Sequence, residues 1–130
     1  MHNTMNNSYL EVNLGQIRRN TRTSLDRLPA GTALIPVLKD DAYGLGIEPV
    51  GRLLADLPEI TLLAVSHVSE GLALRQACVE KDILILGGVP SFLLPPAVEH
   101  GLTVTVGRPG MVPILAQRAA ALGCTARIQI

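Results

Sequence analysis

Lys39 combines a reactive type with a telling position. It comes directly after Ala33 to Leu38, an apolar run of strand length, so a buried strand would present it at its carboxyl end. Parallel α/β proteins gather their ligands at that end. Tyr43 lies four residues further on, and Gly44 and Gly46 let the backbone turn tightly and approach a bound group. A lysine amine becomes a nucleophile once it sheds its proton. Taken alone, however, such a lysine is usually just a solvated loop residue, here with Asp40 and Asp41 as ready partners.

Other polar residues offer less. His67 comes after a strand end and reads as a loop or capping residue. Ser66 and Ser69 read as helix caps, because no His–acid pair lies at a nucleophile-activating spacing. Arg75 reads as a surface or interhelical ion pair. His2, His67 and His100 are scattered, and neither Cys78 nor Cys124 has a ligand-like spacing to them, so no metal is expected. Two cysteines in a chain of 130 residues make no disulfide framework, and the expectation is two buried thiols in a reducing compartment.

The elements that must position Lys39 show in the apolar pattern. Five short runs rich in Val, Ile and Leu read as strands buried on both faces: 33–38, 61–65, 83–86, 103–106 and 126–130. Between them the period changes. Ile47, Val50, Leu54 and Leu57 form one helical stripe, and Met111, Ile114, Leu115 and Leu122 form another that Gly123 ends. This alternation predicts βαβ units and a parallel sheet. Ahead of it, Tyr9 to Asn13 is a short extended candidate. Leu14, Ile17, Thr21, Leu25 and Leu28 form a helical stripe behind it, with Asn13 as cap, Gln16 completing a capping box and Pro29-Ala30-Gly31 as the stop. Length alone leaves two architectures open. One is part of a (β/α)₈ barrel, which needs ~250 residues; the other is a five-stranded doubly wound domain.

The segment Val37-Leu38-Lys39-Asp40-Asp41-Ala42-Tyr43-Gly44-Leu45-Gly46 resembles the cofactor-lysine motif of alanine racemases. Asp40 stands where that motif has a small residue, and Leu45 where it commonly has His. A carboxylate at Asp40 would favour the charged form of Lys39. Tyr9 to Leu14 with Ile17 and Asn20 is similar to the family's opening strand and helix. Glu70-Gly-Leu-Ala-Leu-Arg75 resembles its Glu-Gly-x-x-Leu-Arg segment, and Ile83 to Gly88 its next strand and turn. These matches run in order across nearly the whole chain.

The resemblance implies an α/β fold, a parallel (β/α) barrel of the alanine racemase type present as about five βα units. Residues 1–130 would be the N-terminal part of a pyridoxal 5′-phosphate-binding (β/α)₈ barrel. The rest of the barrel, an Asp-Thr-Gly-Met-x-Arg-x-Gly segment and a β-rich second domain would lie outside these residues. It implies racemisation of L-alanine to D-alanine with Lys39 bound to pyridoxal 5′-phosphate as an aldimine. Tyr43 would hold the phosphate, Leu86 would pack on the ring, and a homodimer partner would supply the opposing acid–base tyrosine. At a pKa of ~10.4 only about one free lysine in 10³ is uncharged at neutral pH, so the site must favour the neutral amine. Two alternatives remain: a non-catalytic cofactor-binding or association module, and a serine or broader racemase.

Bulk properties agree with this class. Eleven basic and eleven acidic residues cancel, which leaves no electrostatic footprint for nucleic acid or an acidic membrane. With 48% hydrophobic and 17% charged residues the chain is globular rather than disordered. Met1 to Ser8 lack the apolar core of a signal peptide, and no apolar run approaches the ~20 residues of a membrane helix. A cytoplasmic protein acting on a small amino acid is expected.

Overall fold

Four of the five apolar runs pair into one parallel sheet. The structure is a computed structural model that describes residues 8–130, so most of the polar start read against a signal peptide lies outside the described residues. The strands are β1 (Leu62–Val65), β2 (Asp82–Ile85), β3 (Thr103–Thr105) and β4 (Ile128–Gln129), adjacent in chain order. Leu62 faces Asp82, Leu84 faces Thr103 and Val104 faces Ile128. The 33–38 run reaches the sheet only through a parallel bridge between Val37 and Ala64. There the Leu38 N–H donates to the Ala64 carbonyl at 2.8 Å, and the Ala64 N–H donates to the Pro36 carbonyl at 2.9 Å. Pro36 has no N–H to offer, which cuts the ladder short.

Helices fill the intervals: α1 (Leu14–Asp26), α2 (Lys39–Gly44), α3 (Ile47–Ala55), α4 (Val68–Gln76), α5 (Leu94–Glu99) and α6 (Met111–Leu122). α1 begins as expected, the Asn13 side chain accepting from the Gln16 N–H at 2.9 Å. The Gln16 side chain does not complete the box, because it bonds Asn20 and Arg19 instead. Gly123 ends α6 in the left-handed conformation, with φ 63°. α5 was hidden in the pattern by Pro95 and Pro96, which occupy its first turn, where prolines are tolerated. The extended candidate at Tyr9 to Asn13 joins no strand of the sheet: residues 8–13 are largely exposed, and Asn13 keeps an extended backbone as it enters α1.

The core decides between the two architectures. Leu63, Val65, Ile83, Ile85 and Val104 join the helices in one apolar cluster. Ala64 and Leu84, one residue out of phase, are buried yet lie outside that cluster. Helices therefore pack on one face of the sheet, and the strand order never reverses. A doubly wound domain has helices on both faces and a reversal point. This sheet is an arc of a parallel barrel. No helix among the described residues is long and apolar enough to cross a membrane.

Both cysteines are exposed and free, which corrects the expectation of buried thiols. Each comes just after the end of a helix, α4 for Cys78 and α6 for Cys124, where the chain turns at the surface.

Candidate active site

Leu38 is buried and tied to β1, so Lys39 leaves the sheet from a fixed point. The next four residues adopt a backbone conformation that the residue pattern does not announce. Asp40, Asp41, Ala42 and Tyr43 all have φ between 53° and 57° and ψ between 36° and 51°, one turn of left-handed helix. None is glycine. For L-residues this conformation costs roughly 1–2 kcal/mol each, and it persists only where the surroundings over-determine it. Ala42 is buried and its N–H donates to the Leu38 carbonyl at 3.0 Å. The Gly46 N–H donates to the Asp41 carbonyl at 2.9 Å, and the Ile47 N–H to Asp41 Oδ1 at 2.7 Å. Asp41 thus caps the start of α3 rather than pairing with Lys39.

The remaining clamp comes from the start of α4, just after β1. Glu70 Oε1 accepts the Asp40 N–H at 2.7 Å, while Oε2 accepts the Ser66 and His67 N–H groups, each at 2.9 Å. Burial works to raise the Glu70 carboxyl, but the N–H donors of His67, Asp40 and Ser66 outweigh it and hold the group below its ordinary value. The start of α4 is therefore satisfied by a carboxylate reaching back from the third helical position, not by Ser66 or Ser69 as caps.

The rest of the Glu70-to-Arg75 segment is structural. A Cβ on Gly71 would lie 3.0 Å from Leu102 Cδ1, so α4 packs closely on the sheet. Leu74 is fully buried. Arg75 is not the ion-pair residue expected. It donates to the carbonyls of Val79 (2.6 Å), Lys81 (2.8 Å), His100 (2.9 Å) and Gly101 (3.3 Å), tying together the loops that lead into β2 and β3.

Lys39 and Tyr43 come together: the Lys39 Nζ sits 5.9 Å from the centre of the Tyr43 ring. Lys39 is half-buried, and none of the ion pairs among the described residues involves it, Asp40 notwithstanding. Tyr43 is 62% exposed, which leaves its hydroxyl accessible. Leu86 continues β2, its N–H donating to the Val65 carbonyl at 2.8 Å, and its side chain is 44% exposed. Gly87 bonds the Ser66 carbonyl, and Ser66 in turn bonds Glu70. The ends of three neighbouring parallel segments are thus linked, with Lys39 and Leu86 on the first and third. A cleft of about 310 Å³ between α1 and α2 is lined by Tyr43, Leu38 and Leu45, and one of about 400 Å³ between α6 and β4 is apolar and remote from Lys39. Neither is lined by both Lys39 and Leu86.

An amine clear of carboxylates, an accessible phenol and an exposed apolar side chain at one end of a parallel sheet form a donor set that fits pyridoxal 5′-phosphate. In that set Lys39 would supply the covalent link, Tyr43 a hydrogen bond for the phosphate and Leu86 an apolar surface for the ring. Lys81 has no such setting. Its Nζ donates to the Leu57 carbonyl at 3.4 Å, at the opposite end of β2.

Comparison with known proteins identifies the family. Residues 12–130 match the family model described as the alanine racemase N-terminal domain. The chain is 39% identical over 95 residues to an alanine racemase of Streptococcus uberis, covering 73% of this chain and 25% of that protein. It is 37% identical over 102 residues to the alanine racemase of Aquifex aeolicus, covering 78% and 30%. The alanine racemase structure of Clostridium difficile superposes with a TM-score of 0.83 at 28% identity, over 92% of this chain and 33% of that one. That of Streptomyces lavendulae gives 0.80 at 30% identity, over 90% and 30%. The chain therefore spans between a quarter and a third of the length of these relatives. From residue 12 onward it belongs to the alanine racemase N-terminal domain family.

Proposed function

We propose that these residues are the N-terminal part of a (β/α)₈ barrel in a pyridoxal-phosphate-dependent alanine racemase, with Lys39 as the lysine that binds the cofactor. The observation that carries this reading is the placement of Lys39 at the carboxyl end of a parallel sheet, immediately before a left-handed turn held by two carboxylates. The Tyr43 hydroxyl binds the phosphate, and Leu86 packs on the ring. When bound, the cofactor acts as an electron sink that makes the α-proton of an amino acid removable. The Lys39 amine takes or returns that proton on one face of the substrate. A β-rich second domain, a homodimer whose partner serves the other face, and a cytoplasmic location belong to the same proposal. The names of the relatives support alanine as the substrate.

The test is borohydride reduction of the full-length protein loaded with pyridoxal phosphate, followed by peptide mass mapping. The pyridoxyl group is expected on Lys39, and Lys39→Ala is expected to abolish bound-cofactor absorbance and racemisation together. Labelling at Lys81, the other lysine of the sequence, overturns the assignment.

A further inference from the structure

We infer that Glu70 is a positioning residue for Lys39: its carboxylate holds the left-handed turn in register with the strand beside it. This rests on the reading of Lys39 as the cofactor lysine.

The Asp40 N–H belongs to the peptide group that directly succeeds Lys39, so whatever fixes that peptide fixes the direction in which the lysine side chain leaves the backbone. Within the turn, the Ala42 N–H closes back on the Leu38 carbonyl and the Gly46 and Ile47 N–H groups both bond Asp41, so these bonds stay inside the 38–47 segment and none takes up the Asp40 N–H. Among the described residues, Glu70 alone takes the N–H of the peptide after Lys39, reaching it from the start of α4 across 30 residues of sequence. The other oxygen of the same carboxylate is held by Ser66 and His67, at the mouth of β1. The side chain keeps just 16% of its surface exposed, so water competes poorly for these bonds. One rigid carboxylate therefore joins two backbone segments that must stay in register if Lys39 is to meet a group resting near Leu86. The turn needs this restraint, because four successive non-glycine residues in the left-handed region relax to other conformations when freed.

Glu70→Gln separates the two halves of the clamp. An amide offers one acceptor oxygen and one NH₂ donor, so it can serve Asp40 or the start of α4 but not both. Asn13→Ala is the control, removing a helix cap at α1 that does not touch the turn. Both variants lower stability, and only Glu70→Gln acts at Lys39.

Two measurements on the full-length protein decide the matter. The first is amide hydrogen exchange in the cofactor-free protein, read on a peptide spanning Leu38 to Gly46. Glu70→Gln is expected to speed exchange there roughly tenfold or more, the effect of losing a hydrogen bond to a charged group, whereas Asn13→Ala leaves it unchanged. The second is the rate at which pyridoxal phosphate becomes trapped on Lys39 by borohydride. It is expected to fall roughly tenfold in Glu70→Gln at a given cofactor concentration, with the label still on Lys39 at saturation. Unchanged exchange in Glu70→Gln, or equal trapping rates in wild type and Glu70→Gln, overturns the role of Glu70 while leaving the cofactor reading intact. Absence of label on Lys39 in the wild type overturns the cofactor reading, and the role toward Lys39 falls with it.

Discussion

Glu70 Oε1 lies 2.7 Å from the backbone nitrogen of Asp40, so the peptide group after Lys39 is bonded to the helix that comes after β1. The relationship gives the Glu-Gly-x-x-Leu-Arg segment a physical meaning. Glu70 faces the strand ends that carry Lys39, Gly71 and Leu74 press the helix onto the sheet, and Arg75 gathers carbonyls at the other end. One two-turn helix thereby fixes both rims of the arc.

Acid should loosen this rim. Glu70 is held below the ordinary carboxylate value in the folded protein, so the unfolded chain takes up its proton first as pH falls. Its contribution to stability is complete above the unfolded value and is lost as pH drops through the folded one. His67, 3.8 Å from Oε2, adds attraction when protonated and so works in the same direction. Amide exchange at Asp40, Ser66 and His67, corrected for intrinsic rates, should accelerate below the ordinary carboxylate range. In Glu70→Gln that step should be missing.

Tyr43→Phe tests the phosphate contact. Removing a hydroxyl that bonds a charged group should weaken cofactor binding by about 1.5–3 kcal/mol. Tyr43 is 62% exposed, so folding stability should change little. Cofactor affinity by absorbance titration and unfolding by denaturant separate the two effects, and an unchanged affinity would assign the tyrosine a purely structural part.

Much of the arc was legible in the residue pattern because its cause is periodic burial. Ile47, Val50, Leu54 and Leu57 are buried as their spacing requires, and Gly123 stops α6 in the conformation that glycine favours. The site was legible in part. Lys39 and Tyr43 stood out by type and by their place after an apolar run, but the turn between them did not, because nothing in Asp-Asp-Ala-Tyr demands positive φ. That conformation is imposed from outside, by Glu70 and by the capping of α3. Glu70 did carry a usable signal, a glutamate three residues into a helix after a strand, although a capping pattern gives no hint of the long-range bond to Asp40. The fate of Arg75 was invisible for the same reason: its acceptors are carbonyls of loops up to 26 residues away.

Arg75 offers a stability prediction of its own. Its planar fork reaches four carbonyls on two loops, which an ammonium group cannot match. Burial lowers its pKa, opposed by Asp82, yet a guanidinium keeps its charge throughout the usual pH range. Arg75→Ala should cost about 2–3 kcal/mol, since it leaves several carbonyls short of partners. Arg75→Lys should recover less than half of that. The midpoint of urea unfolding should shift with an unchanged slope, and full recovery by lysine would reduce the role of Arg75 to its charge.

Gly87 and Gly71 make a paired test of how tightly the strand ends must approach. A Cβ on Gly87 would sit 2.4 Å from the carbonyl oxygen of Ser66, the same oxygen that accepts the Gly87 N–H at 3.1 Å. That neighbour is backbone and belongs to the residue Glu70 holds, so it cannot move aside without disturbing the clamp. A Cβ on Gly71 would instead meet the ends of the Leu102 and Ile85 side chains at 3.0 and 3.2 Å, and both can shift by a few tenths of an ångström. Gly87→Ala should therefore destabilise by about 1–3 kcal/mol, as overpacking against rigid neighbours does. It should also weaken cofactor retention, because Leu86 is carried on the displaced strand end. Gly71→Ala should cost less than about 1 kcal/mol, since alanine also favours a helix interior, and should leave cofactor retention intact. Denaturant unfolding of both variants, with cofactor titration of each, checks the pair. Equal losses would show that the Ser66–Gly87 contact has slack, and the chain of bonds from Glu70 through Ser66 to Leu86 would then fail as a positioning device.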